Sequence, residues 1–323
     1  LDYRGIPVLS SYAPLRDEQD SWAILAEIDA AEAFAPVGRL RAQVFGLTGL
    51  VAMLFLALSL GLTRMIARNE TLVLRREQVD RDLRLARSIQ QGLLPKAAPS
   101  LDGYQIAGWS QPAEETGGDY FDWQTLPSGQ LALSLADVTG HGIGPALVTA
   151  VCRAYTRASL PEADDLGVVM SRINELLHED LPEDRFVTFV AALLDGQSHE
   201  LHYLSAGHGP IVICRAATGE LDVRGAHDIP FGLIGDQRYG SGDIVELEPG
   251  DVVVLITDGF FEWPAPDGTI FGLDRLRETL ARVHTKSADD IIQALYQEVL
   301  TYAQGTSQDD DLTAVVVKRI ATD

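Results

Sequence analysis

The sequence predicts an α+β fold in which two antiparallel β-sheets are covered by helices. From about residue 97 onward, short β-branched or alternating apolar runs follow one another at hairpin-like spacing. Helical patterns interrupt these runs in blocks, at 143–159, at 163–181 and as a pair between 274 and 303. Hairpin-like strands with helices inserted in blocks indicate a layered α+β domain.

The strands of this domain are predicted from six apolar stretches. They read YQIAGWS, QLALSLADV, FVTFVAALLD, LHYLSAGHGPIVICR, GDIVELEPGDVVVLITDG and LTAVVVKRI, in chain order. Alternation or β-branching in runs of this length is typical of strands that are buried on one or both faces. The domain is therefore expected to occupy 97–323.

An uncharged stretch of 19 residues, 44–62, precedes this domain. It is close to the roughly 20 residues that a helix needs to cross the hydrocarbon layer, and we predict a transmembrane helix over 42–66. The alternative is a buried core helix. Arginines frame the stretch on both sides, and the larger basic excess follows it, which predicts a cytoplasmic location for the C-terminal side and an extracytoplasmic location for residues 1–38.

The segment 67–96 joins the predicted span to the main domain and favours a coiled-coil linker. Apolar residues recur at sevens and define d positions, whereas most of the matching a positions are polar, a pattern typical of a weak two-stranded coiled coil and hence of a homodimer. A single amphipathic helix is the alternative. The d positions are Leu72, Val79, Ala86 and Leu93, and the a positions are Asn69, Arg76, Leu83 and Gln90.

Charge and cysteine content exclude some classes of function. The net charge of −22 is concentrated in 97–323, which carries −23, whereas 64–96 carries +4. Phosphates of a nucleic acid would be repelled by such a domain, so a DNA or RNA partner is not expected. Cys152 and Cys214 lie in apolar runs without metal-binding spacing, and we expect core thiols in a reducing compartment.

Four aspartate positions share one context, the end of a β-run beside a tight turn or a short polar tail. They are Asp119, Asp137, Asp258 and the pair Asp310 and Asp311. Each one alone reads as a turn residue. If they converge, their mutual repulsion requires cations, and oxygen ligands without nearby Cys or His favour Mg²⁺ or Mn²⁺.

The order of the motifs resembles that of the metal-dependent serine/threonine phosphatases of the type 2C superfamily. The motifs are GGDYFD, ADVTGHGIGPAL, FVTFVAALLD, YLSAGHGP, PFGL, LEPGDVVVLITDGFFE and DDDLTAVVV, and the likeness covers about 89–320. It is similar to the bacterial branch of the sporulation stage II phosphatase and of stress-response phosphatases that act on anti-sigma-factor antagonists. Residues 1–38 resemble, more loosely, the last strands of a Cache-type sensor.

This resemblance implies a two-metal phosphatase on a two-layer β-sandwich, with helices on both outer faces. Carried over motif by motif, Asp119 and the Val138 carbonyl would bind one ion, Asp137 would bridge both ions, and Asp258 and Asp310 would bind the second. The chemistry would need no protein nucleophile.

Three aspartates, Asp309 to Asp311, stand side by side at the head of the last predicted strand. Strand alternation would send Asp309 and Asp311 to one face and Asp310 to the other, and the family pattern selects Asp310 as the ligand. Asp311 is then expected to brace the loop and Asp309 to be solvated.

Two further details of the motifs bear on substrate binding. His141 in TGHG is either a general acid or a histidine that fixes the loop. Relatives often carry a basic residue shortly before GGD, whereas this chain has Glu114 and Glu115 there. Phosphate capture is then expected to depend on the metal ions or on an arginine elsewhere.

Together these patterns predict a membrane-anchored, cytoplasm-facing phosphoserine/phosphothreonine phosphatase that an outer sensor controls through a dimeric linker. Its expected substrate is a phosphorylated protein, such as an anti-sigma-factor antagonist. The alternatives are a signalling receptor that binds a partner without turnover and a hydrolase of small phosphate esters.

Overall fold

The computed structural model describes residues 1–16, 21–162, 165–182 and 184–320. The chain divides into two units, Leu1–Gln78 and Val79–Asp323. The second unit begins inside the segment that the sequence assigns to the linker.

The first unit contains a hairpin and most of a long helix. Strands β1 (Val8–Arg16) and β2 (Ser21–Asp29) pair antiparallel, with Val8 opposite Asp29. Helix α1 (Ala30–Leu93) follows without a break. It is the one described helix that is long and apolar enough to cross a membrane. The Cache-like sensor, the membrane span and the coiled coil remain predictions.

The second unit contains ten strands in two antiparallel sheets of five. Sheet one has the order β10-β7-β6-β5-β4, and sheet two has the order β3-β12-β11-β8-β9. The strands are β3 (Tyr104–Gln111), β4 (Asp119–Thr125), β5 (Leu131–Val138), β6 (Val187–Leu194), β7 (Glu200–Ala206), β8 (Ile211–Cys214), β9 (Leu221–Arg224), β10 (Asp243–Glu246), β11 (Val252–Ile256) and β12 (Leu312–Arg319).

Helices cover the outer face of each sheet. Helices α2 (Ile143–Ser159) and α3 (Leu166–Asp180) lie on sheet one, with a short 3₁₀ turn (Leu160–Glu162) between them. Helices α4 (Gly259–Glu262), α5 (Gly272–Val283) and α6 (Ala288–Ala303) lie on sheet two. The predicted start of α3, at residue 163, lies outside the described residues.

Three layers of apolar side chains hold the sandwich together. One lies between the sheets, where Leu133 and Leu135 of sheet one meet Val253 and Leu255 of sheet two. The other two lie between each sheet and its helices. Strands β5, β6, β11 and β12 are apolar on both faces because both faces are covered. The predicted fold class is therefore confirmed.

Both cysteines are buried free thiols within these layers, as predicted. Cys152 of α2 lies in the layer between sheet one and its helices, and Cys214 of β8 lies in the layer between sheet two and its helices.

Candidate active site

The first two aspartates of the candidate site face each other across a strand pair. Asp119 begins β4, Asp137 lies near the end of β5, and the two are direct partners in the antiparallel register. Side chains at such positions have Cβ atoms about 4.5–5.5 Å apart. The hairpin therefore fixes the two carboxylates as neighbours.

The other two aspartates come from the corresponding edge of sheet two. Asp258 lies two residues after β11 and immediately before α4, and Asp310 lies two residues before β12. Because β11 and β12 are antiparallel, with Ile256 opposite Ala314, the end of one strand meets the start of the other.

Thr257 connects the two sheets at this edge. Its Oγ1 donates a hydrogen bond to Asp119 Oδ2 at 2.9 Å and accepts one from the Thr313 amide at 2.9 Å. Thr257 is buried, and so is Asp119, which is only 5% exposed. The structure thus brings the carboxylates of both sheets to one site.

Burial and mutual repulsion raise the pKa values of these carboxyls. For Asp119 the main cause is burial, followed by the charges of Asp137 and Asp311. Burial also raises the pKa of Asp137 to about 7, with further contributions from Asp258, Asp310 and Asp311. The pKa values of Asp258 and Asp310 are raised, again mainly by burial.

These directions indicate that the site disfavours uncompensated negative charge. A divalent cation would remove both the repulsion and much of the cost of burial. Hard oxygen donors from carboxylates and a backbone carbonyl are the ligands that Mg²⁺ and Mn²⁺ prefer. The donor set therefore fits such ions. Within the described parts of the chain, no three His, Cys, Asp or Glu side chains already form a closed metal-binding group.

Gly118 lies directly against the backbone carbonyl of Val138. A Cβ added at Gly118 would come within 2.5 Å of the Val138 oxygen. The Val138 amide donates to the Gly118 carbonyl at 3.1 Å, which holds the two segments together. A larger residue at 118 would displace the carbonyl that the sequence assigns to the first ion.

Asp311 braces the loop that leads into β4. Its carboxylate accepts hydrogen bonds from the amides of Ala113 (2.8 Å), Gly118 (2.5 Å) and Asp119 (3.2 Å). It is buried, whereas Asp309 is exposed. The expectation of a bracing Asp311 and a solvated Asp309 agrees with these positions.

The reason given for that expectation is wrong. Strand β12 begins only at Leu312, so alternation along a strand does not govern Asp309, Asp310 and Asp311. They lie in the preceding loop, where Asp310 Oδ1 accepts from the Asp311 amide at 2.8 Å. Local hydrogen bonds, rather than a strand pleat, send the three side chains in different directions.

The loop after Asp137 carries His141 and is held by an arginine that the sequence analysis missed. His141 Nδ1 lies 2.9 Å from Glu114 Oε1, and both side chains are exposed. Arg185 Nη1 donates to the Thr139 carbonyl at 2.8 Å. No motif marks Arg185, since it stands at an ordinary position just before β6. Glu114, which stands where relatives often carry a basic residue, thus contacts His141.

Helix α1 contacts this site through Gln90. The side-chain amide of Gln90 donates through Nε2 to the Gly117 carbonyl at 2.7 Å. The backbone amide of Gly117 donates to Gln90 Oε1 at 3.1 Å. Gly117 immediately precedes the loop residues that Asp311 holds. The assignment of Gln90 to a heptad a position is therefore corrected, because its side chain hydrogen-bonds to the phosphatase-like unit of its own chain.

His208 contacts Thr188, a residue of the strand next to Asp137. Thr188 is the cross-strand partner of Asp137, and its Oγ1 lies 3.1 Å from His208 Nδ1. Complete burial lowers the pKa of His208 to about 4, so the ring is neutral at physiological pH. The residue is thus part of the packing beneath the carboxylates.

A sandwich of this kind, with carboxylates gathered at one edge, is the fold of PP2C-type phosphatase domains. Proteins of this class are protein serine/threonine phosphatases. The sequence profile described as Stage II sporulation protein E (SpoIIE) matches residues 127–320, more than half of the chain. The chain therefore belongs to the SpoIIE family. Phosphatases of this kind are metal-dependent, commonly with Mn²⁺ or Mg²⁺.

Two similar proteins are named phosphoserine phosphatases, and a similar solved structure is a PP2C domain. Phosphoserine phosphatase RsbU of Bacillus subtilis is 27% identical over 244 residues, which cover 75% of this chain and 71% of RsbU. Phosphoserine phosphatase RsbP of Bacillus subtilis is 25% identical, over 69% of this chain and 53% of RsbP. The solved SiaA-PP2C domain of Pseudomonas aeruginosa shares the fold at a TM-score of 0.65 and 20% identity, with 75% of this chain and 97% of that domain covered.

Proposed function

We propose that this chain is a membrane-anchored, two-metal phosphatase that removes phosphate from phosphoserine or phosphothreonine in a signalling protein. The observation that carries the proposal is the set of carboxylates gathered at the joined edge of the two sheets, where Asp119 is buried and the pKa of the half-buried Asp137 is raised to about 7. RsbU and RsbP, which are named phosphoserine phosphatases, support the same activity.

In this proposal each aspartate has a defined role. Asp137 would hold both ions, Asp119 and the Val138 carbonyl would hold the first ion, and Asp258 and Asp310 would hold the second. Bound divalent ions would supply the positive charge that activates water and offsets charge on the phosphoryl oxygens.

The remaining side chains orient this ligand set. Thr257 holds Asp119 through its hydroxyl, and Asp311 holds the backbone before Asp119. Arg185 fixes the Thr139 carbonyl and hence the loop that follows Asp137. None of these residues is required to form a covalent intermediate.

The membrane anchor is proposed from the surface of α1. Large apolar side chains are exposed along its uncharged stretch, for example Leu54 (62%), Phe55 (73%) and Leu58 (71%). A helix that is apolar all round requires an apolar environment. We place residues 42–66 in the inner membrane, residues 1–38 outside as the end of a Cache-like sensor, and 97–323 in the cytoplasm.

The proposed substrate is a phosphorylated anti-sigma-factor antagonist or a similar protein. The proposed route of control is the segment 67–96, which would pair two copies of the chain as a coiled coil. The contact between Gln90 and Gly117 gives this helix a direct link to the backbone that precedes Asp119.

The test is turnover of a phosphoserine peptide by the purified chain in detergent micelles. We expect phosphate release with added Mn²⁺ or Mg²⁺, its loss with a strong chelator, and its loss in Asp137→Asn. Asp289→Asn, which removes one exposed charge at the remote start of α6, is the matched control. A folded, metal-loaded chain that binds phosphoprotein without releasing phosphate would instead favour the signalling receptor.

A further inference from the structure

A cleft of about 270 Å³ opens directly beside the carboxylate site. Asp310, a proposed metal ligand, forms part of its wall, so the cleft adjoins the place where a phosphoryl group would react. Its other lining residues include Glu262, Trp263, Pro264, Ile270 and Asp309.

The walls of this cleft are fixed by hydrogen bonds. The segment from Trp263 to Phe271 forms a small hairpin, in which the Ala265 amide donates to the Thr269 carbonyl at 2.8 Å and the Phe271 amide to the Trp263 carbonyl at 3.1 Å. Trp263 Nε1 also donates to Thr306 Oγ1 at 3.0 Å.

The opposite wall is held by Gln308. Its side-chain amide donates to the carbonyls of Gln111 and Asp310, both at 2.9 Å. Both walls are therefore tied to the sandwich, and the cleft is preformed.

The chemistry of the cleft combines an apolar wall with an acidic rim. Ile270 is 51% exposed and so presents apolar surface to the cleft. Glu262 and Asp309 are exposed, and neither forms an ion pair with a residue in the described ranges. A long basic side chain matches this combination, because its methylene stem packs on apolar surface while its charged head reaches carboxylates.

We propose that this cleft is a subsite for a lysine or arginine that lies close to the phosphorylated residue in the substrate. The proposal rests on the proposed function, since it places the scissile phosphate beside Asp310. Ile270 and Trp263 would contact the stem of the basic residue, and Glu262 and Asp309 would contact its charged head. An extended peptide advances about 3.3 Å per residue, so positions next to the phosphoserine are within reach.

The experiment compares phosphoserine peptides of one sequence that carry arginine, alanine or glutamate at a single flanking position, taken in turn from three before to three after the phosphoserine. The full chain is assayed in detergent with Mn²⁺, and the readout is the ratio of kcat/KM for the arginine peptide to that for the alanine peptide. A ratio within one enzyme cancels any general loss of activity in a variant.

We expect a ratio above one at one or two positions, and a fall toward one in Glu262→Gln with Asp309→Asn. Each exposed charge pair contributes modestly, so removal of two pairs by the double variant should lower the ratio about 2- to 30-fold, mainly through KM. The effect should shrink as salt is raised, because exposed charges are screened. Ile270→Ser should lower the ratio as well, and Asp289→Asn should keep it.

The outcomes separate the two proposals. A wild-type chain that releases phosphate from none of the peptides contradicts the proposed function. A wild-type chain that cleaves arginine, alanine and glutamate peptides equally well, or a double variant with an unchanged ratio, overturns the subsite and leaves the phosphatase activity intact.

Discussion

Thr257 Oγ1 donates a 2.9 Å hydrogen bond to Asp119 Oδ2 and thereby joins the end of β11 to the start of β4. One hydroxyl thus couples the two sheets at the point where their carboxylates meet. It also favours the charged form of Asp119, which burial and the charge of Asp137 disfavour.

Thr257→Val should therefore weaken both the fold and cation binding. The variant leaves a buried carboxylate and the Thr313 amide without their partner, which costs about 1–3 kcal/mol of unfolding free energy. The Mn²⁺ concentration for half-maximal activity should rise several-fold, because the pKa of Asp119 rises further. Denaturant unfolding and metal titration measure the two effects. Thr257→Ser keeps the hydroxyl, and similar losses in that variant would refute this explanation.

The stability of the metal-free chain should fall as the pH rises from about 4 to about 7. Asp137 has a pKa of about 7 in the folded chain, against an ordinary value of 3.8. Asp137 therefore binds its proton more tightly in the folded chain than in the unfolded chain. Its contribution to stability is fully present below about pH 4 and is lost as the pH rises through about 7.

Asp137→Asn should reduce this pH dependence and abolish turnover. The other raised carboxyls keep part of the slope. Unfolding by denaturant in a chelator, at intervals from pH 5 to pH 8, tests the prediction. A slope equal to that of the wild type would mean that Asp137 titrates normally in the folded chain.

The three adjacent aspartates should differ in what their loss does. Asp310→Asn should abolish activity with little effect on folding, because its role is that of a metal ligand. Asp311→Asn should lower stability together with activity, since its carboxylate holds three amides. Asp309→Asn should leave turnover of a small substrate that does not reach the neighbouring cleft within about two-fold. Thermal unfolding and phosphatase assays on the same preparations separate these cases, and equal losses in all three would contradict the assignment.

Thiol-modifying reagents should not inhibit the folded chain. Burial raises the pKa of Cys152 to about 12 and that of Cys214 to about 12, and both thiols are covered by the core. Thiolate is the reactive form, so incubation with iodoacetamide at pH 7.5 should leave activity unchanged and add no mass. Inactivation with one label per native chain would indicate a cysteine-dependent mechanism.

Gln90→Ala should lower activity at every protein concentration, because it removes both hydrogen bonds to Gly117 within the same chain. Arg76→Leu should act differently. It places an apolar residue at an a position of the predicted seam, so it should strengthen dimerisation and change activity with it. Sedimentation and activity across a concentration series distinguish the two. If Gln90→Ala acts only by changing the dimer, the intrachain contact is not a route of control.

Much of the sandwich follows from the sequence because strands that are covered on both faces are continuous apolar runs. The predicted strands around β5, β6, β11 and β12 are therefore found close to their expected positions. Strand β4 was not predicted, since Asp119 and Asp122 interrupt its apolar pattern. Asp122 is buried there because Arg153 and Arg157 of α2 compensate its charge, and that pairing is long-range.

The residues around the site show the same limit. Apolar runs beside turns or polar tails predicted the location of four aspartates at strand ends, namely Asp119, Asp137, Asp258 and Asp310. The hydroxyl of Thr257 and the guanidinium of Arg185 gave no local signal, because their partners are distant in the sequence. Gln90 carried a misleading one, since a polar residue at heptad spacing looks the same whether it faces a second helix or a backbone amide.

The glycines beside the carboxylates set how far this site can vary. A Cβ at Gly117 would collide with the Asp311 carboxylate, and a Cβ at Gly259 would collide with the Asp311 backbone carbonyl. Alanine at 117 would displace the Asp311 carboxylate, and alanine at 259 would displace the backbone of the loop before β12. The lack of space therefore limits which residues these two positions can hold. New substrate preferences would have to arise in the surrounding hairpin and loops, where the chain has room for larger side chains.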